Sequence, residues 1–366
     1  MVTGGTDEVS SGGATLQGSF SGETGTIDEI GFYYGTTSGS LGTKAVATGT
    51  SSPFTKTLTG LAASTTYYYK AFVHEYNEST SSYEDRYGDE CSFTTSATPL
   101  TPTGWLELPA RPAEADYVGT FYDGDDRNYT YFYDYETYTS LCVAYPLYSA
   151  TMGGGYSASW KKNTNIADAY QVNCWTASYN VNYGETMWSS SQGSEYYARG
   201  HQIPNADRNG NDTMQSQTYY ATNSTPQIQN KFNASIWSTL EGDVRTVASA
   251  TDTLYVITGA TFQTAGGSES ITYINPKADE TKNVPVPNYY WKVLLKVKWS
   301  GSTVTSASAV GVWLPHQQYK NNDYSSYVKS VDEIEGYTGF DFFTNLPLSL
   351  QATAEANTSW GTFSSF

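Results

Sequence analysis

Nine residues, Ser96-Ala97-Thr98-Pro99-Leu100-Thr101-Pro102-Thr103-Gly104, separate two residue patterns that belong to different kinds of fold. Two prolines fix φ and remove backbone donors, the small polar side chains offer nothing to a core, and no hydrophobic alternation runs through the stretch. Residues 97–104 therefore read as a linker between residues 1–96 and residues 105–366. At 366 residues two domains are the natural expectation, and either part is long enough to bury a core of its own.

The first part reads as short strands separated by turns. Pro53-Phe54-Thr55-Lys56-Thr57-Leu58 alternates, and Gly31-Phe32-Tyr33-Tyr34-Gly35 ends a strand at a turn. In the longest run, period-two patterning places Tyr67, Tyr69, Ala71 and Val73 on one face. Leu61, Thr65 and Tyr67 just ahead of that strand match the pattern of a tyrosine corner in an immunoglobulin-like sandwich. With Cys91-Ser92-Phe93-Thr94-Thr95 as closing strand, residues 1–96 resemble a fibronectin type III domain. His74 follows the Tyr67–Val73 run with no catalytic partner in reach and reads as a surface residue.

The second part mixes strands with helices. Tyr129–Asp134 and Ser140–Pro146 read as adjacent strands, and Asp252–Gly259, Tyr290–Val297 and Ala309–Pro315 as further ones. A helix is predicted near Lys231–Ala248 and a short one from Ser330. The expected fold class is therefore multidomain: an N-terminal all-β immunoglobulin-like sandwich, then an α+β domain with a central, mainly antiparallel sheet.

Composition limits the function. The net charge of −17 argues against tight binding driven by a basic footprint, but leaves room for a local positive site. No apolar run is long enough to span a bilayer. The opening Met1-Val2-Thr3-Gly4-Gly5-Thr6-Asp7 lacks the basic start and apolar stretch of an export leader. Richness in Tyr, Ser, Thr and Asn nevertheless suggests a secreted, periplasmic or cell-surface protein whose leader has been removed. Cys91, Cys142 and Cys174 have no metal-ligand spacing; Cys142 reads as a buried thiol, and a Cys142–Cys174 bridge stays open.

Chemistry concentrates in two places. Arg199-Gly200-His201-Gln202-Ile203 holds one of only three histidines, with Arg199 two residues before it on the same strand face. About thirty residues on, Asn233, Trp237, Glu241 and Arg245 fall at intervals of four, forming one slowly drifting stripe on a helix beside the apolar stripe of Phe232, Ile236, Leu240 and Val244. Phosphodiester cleavage needs a base for water, positive charge on the phosphorane and help for the leaving oxygen. His201 can be the base, Arg199 and Arg245 the charge, and a hard cation held by Asn233 the help. A single amide oxygen is a sparse ligand set, which suits Mg²⁺, with Glu241 holding its waters. The plain alternative for the helix is a surface element with a Glu241–Arg245 ion pair.

These residues resemble the DNA/RNA non-specific endonuclease family, built on a ββα-metal motif. The family signature Asp-Arg-Gly-His appears as Ala198-Arg199-Gly200-His201, followed by Pro204, Ala206-Asp207-Arg208, Asn223-Ser224-Thr225-Pro226-Gln227, Asn233, Trp237-Ser238-Thr239-Leu240-Glu241 and Arg245. Val256-Ile257-Thr258-Gly259, Val286-Pro287, Lys292-Val293 and Ile334-Glu335 with Thr338-Gly339-Phe340-Asp341-Phe342-Phe343 fit later blocks. The resemblance implies a sequence-tolerant nuclease for DNA and RNA. His201 would be its general base and Asn233 the direct ligand of Mg²⁺ (Mn²⁺ as substitute). Glu241 would act through the metal's waters, with Arg199 and Arg245 supporting the transition state. Arg208 and Asn223 are candidate substrate contacts, although for them, as for Asp207, bracing the site is the favoured reading.

The chain departs from the pattern twice. Ala198 replaces the signature aspartate, and the interval from Asn223 to Asn233 is one residue longer than the family pattern. Asn230 competes with Asn233 as ligand, but the spacing to Trp237 and Glu241 favours Asn233. Ala198 and the acidic charge also suit an alternative, a catalytically weakened binding or adhesion protein on the same scaffold.

Overall fold

The computed structural model describes residues 1–7, 9, 12–22, 25–62, 64–95, 104–179, 181–186 and 194–366. The linker expected at 97–104 lies outside these residues except for Gly104. The chain forms two compact units, Met1–Pro99 and Leu100–Phe366.

In the first unit, strands Val2–Asp7, Gly13–Ser19 and Phe54–Thr59 make one antiparallel sheet. A second sheet contains Thr43–Val46, Ile27–Gly35, Thr66–Asn77 and Ser82–Tyr87, with Cys91–Thr94 also paired to Thr66–Asn77. Both sheets contribute to one apolar core, where Leu16 and Leu58 of the first meet Phe32, Tyr69, Ala71 and Val73 of the second. Tyr67, Tyr69, Ala71 and Val73 share the buried face, as their period predicts. The Tyr67 hydroxyl accepts from the Ala62 N–H at 3.0 Å, five residues upstream, which is the bond that defines a tyrosine corner. His74 pairs with Asp85 at 2.7 Å.

The second unit is organised by a seven-stranded antiparallel sheet. Its order is Val328–Lys329, Thr303–Pro315, Tyr289–Ser300, Leu254–Thr261, Thr139–Leu147, Asp126–Asp134 and Tyr117–Asp123. Alternation along the central strands buries both faces. Tyr145, Val256, Tyr290, Leu294 and Val312 point to one core, whereas Ala144, Ile257, Trp291, Val293 and Trp313 point to another. The first core is roofed by helix Ser238–Ser249, and the second by helices Val331–Thr338 and Leu348–Glu355. The Ser330 hydroxyl and Glu333 carboxylate form a capping box at the start of Val331–Thr338. Cys142 and Cys174 are buried and free, and they lie in opposite cores, which excludes a bridge between them.

A separate three-stranded sheet, Val181–Thr186, Ser194–His201 and Ser224–Ile228, lies in the first core's layer and delivers the chain to the helix. The predicted continuous helix from Lys231 is broken. Gln229–Trp237 is wound with a wide turn in which the Ser238 N–H reaches back five residues to the Asn233 carbonyl, and Ala234 and Ser235 leave helical geometry (φ/ψ −85/17 and −133/−106). Such wide turns accommodate an extra residue and concentrate at functional sites. The longer Asn223–Asn233 interval falls in this region, and Asn233 therefore does not sit on one helical stripe with Glu241 and Arg245.

Candidate active site

His201 ends strand Ser194–His201, paired with Ser224 on the next strand. Gly200 before it is required by packing: a Cβ there would meet the Gln227 side-chain oxygen at 2.1 Å. The close approach that Gly200 permits is made by the Gln227 side chain. The imidazole rests against Trp160 (ring centroids 4.5 Å apart) and edge-on to Tyr219 at 5.0 Å. Part of the residue reaches the surface, but Nε2 does not, and Nε2 has no hydrogen-bond partner among the described residues. Burial, helped by the Arg199 charge, pushes this imidazole down to about 3, so it is neutral at pH 7.

One small cleft of about 190 Å³ brings together His201, Asn205, Asn233, Ser238 and Glu241. The Asn233 Nδ2 donates to Gln229 Oε1 at 3.1 Å, which leaves its amide oxygen without a protein donor among the described residues. Asn230, the competing amide, is committed elsewhere. Its backbone N–H and its Nδ2 both bond the buried Glu195 carboxylate, at 2.9 and 3.1 Å. Glu195 also accepts from the Lys231 N–H and so anchors the start of the wide-turn segment.

Arg199 does not line that cleft. It lines an adjoining one of about 550 Å³ with Trp160, Tyr196, Tyr219 and, again, His201. Its guanidinium lies 5.2 Å from the Trp160 ring and donates to the Cys174 carbonyl at 2.9 Å. Ala198 lines the same cleft. Arg245 is likewise outside the His201 cleft: its Nη1 pairs with Asp207 Oδ1 at 3.0 Å. The other Asp207 oxygen accepts from the Tyr145 hydroxyl at 2.9 Å.

The reading of Arg208 and Asn223 as substrate contacts is corrected by their surroundings. Arg208 is fully buried and donates to Asn128, Thr151, Pro146 and the Asp207 carbonyl, which occupies all three nitrogens. Asn223, 1 % exposed, accepts from the Ile203 N–H and donates to the Ile203 and Thr218 carbonyls. Both brace the loop between His201 and strand Ser224–Ile228, and neither has a donor left for a phosphate.

Lys292 belongs to the site but was given no role by the sequence reading. It is fully buried between Tyr290 and Leu294 on the same sheet face as the site, its Nζ 3.1 Å from Thr258 Oγ1 and 4.6 Å from the Trp237 ring centre. Burial pushes the Glu241 carboxyl up to about 7, against the pull of Lys292 and Arg245. Burial also lowers Lys292, against the pull of Glu241 and Asp207. The two steady each other inside the core. A lysine set inside the otherwise apolar run Tyr289–Leu295 was the available signal.

A sequence profile described as DNA/RNA non-specific endonuclease matches residues 112–349. The chain belongs to that family. It is 29% identical over 204 residues to a protein named Nuclease from Nostoc sp., covering 55% of this chain and 68% of that one. It is 32% identical over 165 residues to a Nuclease from Syncephalastrum racemosum, covering 43% of this chain and half of the relative's length (50%). A solved structure, the EndoG/EndoGI complex, overlaps 65% of this chain and 94% of its own at 19% identity and a TM-score of 0.49.

Proposed function

We propose that this protein is a metal-dependent endonuclease that hydrolyses phosphodiester bonds of DNA and RNA without sequence preference. The observation that carries the reading is that His201, whose imidazole is neutral at pH 7, and Asn233, whose amide oxygen has no protein donor among the described residues, line one small cleft with Glu241. That donor chemistry fits Mg²⁺, which binds through few protein oxygens and keeps its waters; Mn²⁺ is a natural substitute. Asn233 would hold the ion, which when bound supplies positive charge to the leaving oxygen. The His201 imidazole takes the proton from the attacking water. Its low basicity in the free protein rises when an anionic phosphate enters the cleft, because a nearby negative charge favours the imidazolium. Glu241, lining the same cleft, would hold water bound to the ion. Arg199, from the adjoining cleft, sets positive charge along the substrate strand, and Arg245 acts indirectly by holding Asp207.

Residues 1–96 serve as a fibronectin type III-like attachment or spacer module, the linker over 97–104 joins it to a nuclease domain over 105–366, and the whole protein works outside the cytoplasm on nucleic acid. The test is direct. Purified full-length protein is incubated with plasmid and with RNA at pH 7–8, with Mg²⁺ and with EDTA. Cleavage of both substrates with Mg²⁺ alone is expected; no cleavage after metal addition would remove the reading.

A further inference from the structure

Three carboxylates converge on the side of the sheet away from His201. Helix Val331–Thr338 sends Val331 and Ile334 into the second core, which leaves Asp332 and Glu335, three residues apart, on a neighbouring face. Helix Leu348–Glu355 buries Ala354 in the same core and ends on Glu355. One carboxylate oxygen from each of Asp332, Glu335 and Glu355 lies within 4.8 Å of the other two. Asp332 is exposed, Glu335 is half-buried, and Glu355 is only 7 % exposed.

Glu355 is the feature that calls for a ligand. Its Oε1 is shut from solvent and has no hydrogen-bond partner among the described residues. No basic side chain among those residues pairs with any of the three acids; the nearest ion pair on this helix, Lys329–Glu333, involves a different carboxylate. Glu335 gains one bond, accepting from the Phe342 N–H at 2.7 Å. Burial and the charges of Glu335, Asp332 and Asp341 push the Glu355 carboxyl up to about 8. Glu355 also sits at a helix C-terminus, where the backbone carbonyls add further negative potential. A buried carboxylate in such company must take up a proton or a cation.

The donor set decides which cation. All three donors are carboxylate oxygens, with no imidazole or thiolate among them, which favours a hard ion. Calcium binds oxygens at about 2.3–2.6 Å, so two donors on opposite sides of one ion stand up to about 5 Å apart. The observed spread falls inside that limit. Calcium also accepts irregular geometry and completes its shell with water, which suits donors from two separate helices. We propose that Asp332, Glu335 and Glu355 form a Ca²⁺ site that ties helix Val331–Thr338 to helix Leu348–Glu355. This site is distinct from Asn233 and lies behind the sheet that carries the catalytic cleft. Its role is to stabilise the layer against which the catalytic layer is built.

The experiment uses the full chain, stripped with EDTA, as wild type, Glu355→Gln and Asn233→Ala. Calcium is titrated alone by calorimetry, and Tm is read with and without 1 mM Ca²⁺. Wild type and Asn233→Ala are expected to bind Ca²⁺ and gain about 5 °C in Tm, as ligand linkage predicts for a site near saturation. Glu355→Gln is expected to lose both the binding and the shift while its Mg²⁺-dependent cleavage rate stays within about twofold. A wild type without a Ca²⁺ shift would show that a proton alone relieves the cluster and would overturn the site. So would a shift that survives in Glu355→Gln, or one that disappears only in Asn233→Ala. Should Glu355→Gln fail to fold, Asp332→Asn, exposed on its helix, reads the same loss.

Discussion

The second unit contains two enclosed imidazoles, and they differ in one respect that separates chemistry from architecture. Burial pushes both His201 and His316 down to about 3. His316 has both ring nitrogens committed: Nδ1 donates to the Pro287 carbonyl at 2.8 Å, and Nε2 accepts from the Ile228 N–H at 2.9 Å. It joins the end of strand Thr303–Pro315 to the strand that leads into the helix, with Phe232 and Tyr290 edge-on to its ring. His201 has the same depressed basicity, but its Nε2 meets no partner. Titration behaviour alone would rank the two equally. In the proposed function the imidazole that lines the cleft, rather than the one with both nitrogens bonded, is the one that meets the substrate.

Five experiments would break or sharpen that contrast. The largest effect is expected for His201→Ala, which should lower cleavage by on the order of 10³ while changing stability by no more than about 1 kcal/mol, because it removes no protein hydrogen bond made at Nε2. A turnover assay with a parallel urea melt reads both; an unchanged rate would take His201 out of the mechanism. His316→Ala should do the reverse, costing roughly 2–4 kcal/mol by stranding the Ile228 N–H and the Pro287 carbonyl, with kcat largely kept in the folded fraction. Arg208→Ala and Asn223→Ala belong with His316. Each should cost roughly 3 kcal/mol in a denaturant melt. A raised KM at unchanged stability would restore them as substrate contacts.

Lys292→Met tests the buried pair beside the cleft. With Lys292 present burial holds the Glu241 carboxyl up at about 7, so at pH 5 it is neutral and needs no partner, whereas at pH 8 removing the lysine takes away the charge that offsets the cost of ionising it. The variant's stability deficit should therefore be larger at pH 8 than at pH 5, measured in EDTA by urea midpoint. An equal deficit at both would mean that Lys292 serves packing alone. The smallest effect concerns His316 and acid. Its folded value is depressed below the unfolded reference of about 6.5, so its contribution to stability is complete above that pH and is lost as pH falls toward 3. At pH 5 the loss is roughly 2 kcal/mol per such histidine, and Asn at position 316 should flatten that part of the profile.

Much of this architecture can be read from the chain because its signals are local. The period-two run Tyr67–Val73 states which residues enter a core, and the neighbouring runs Tyr129–Asp134 and Ser140–Pro146 pair as adjacent strands. The residues His201, Asn233 and Glu241, singled out by type and interval, do line one cleft, with Arg199 in the adjoining one. What stayed hidden depends on contacts between distant segments. Nothing near Arg208 in sequence announces that Asn128 and Pro146 will surround it, and nothing near His201 announces Trp160. Regular helical spacing was also misleading: it assumes unbroken 3.6-residue winding, which Ala234 and Ser235 violate.

That interruption has a practical meaning for anyone altering the molecule. In an uninterrupted helix the bearing of Asn233 relative to Glu241 would be dictated by arithmetic, about 100° for every residue between them. The kink at Ala234 and Ser235 frees the two from that arithmetic, so the amide is aimed by the strand before it and the carboxylate by the helix after it. Deleting one residue here to regularise the winding would leave hydrophobic burial almost intact, yet it would swing the amide out of the crevice.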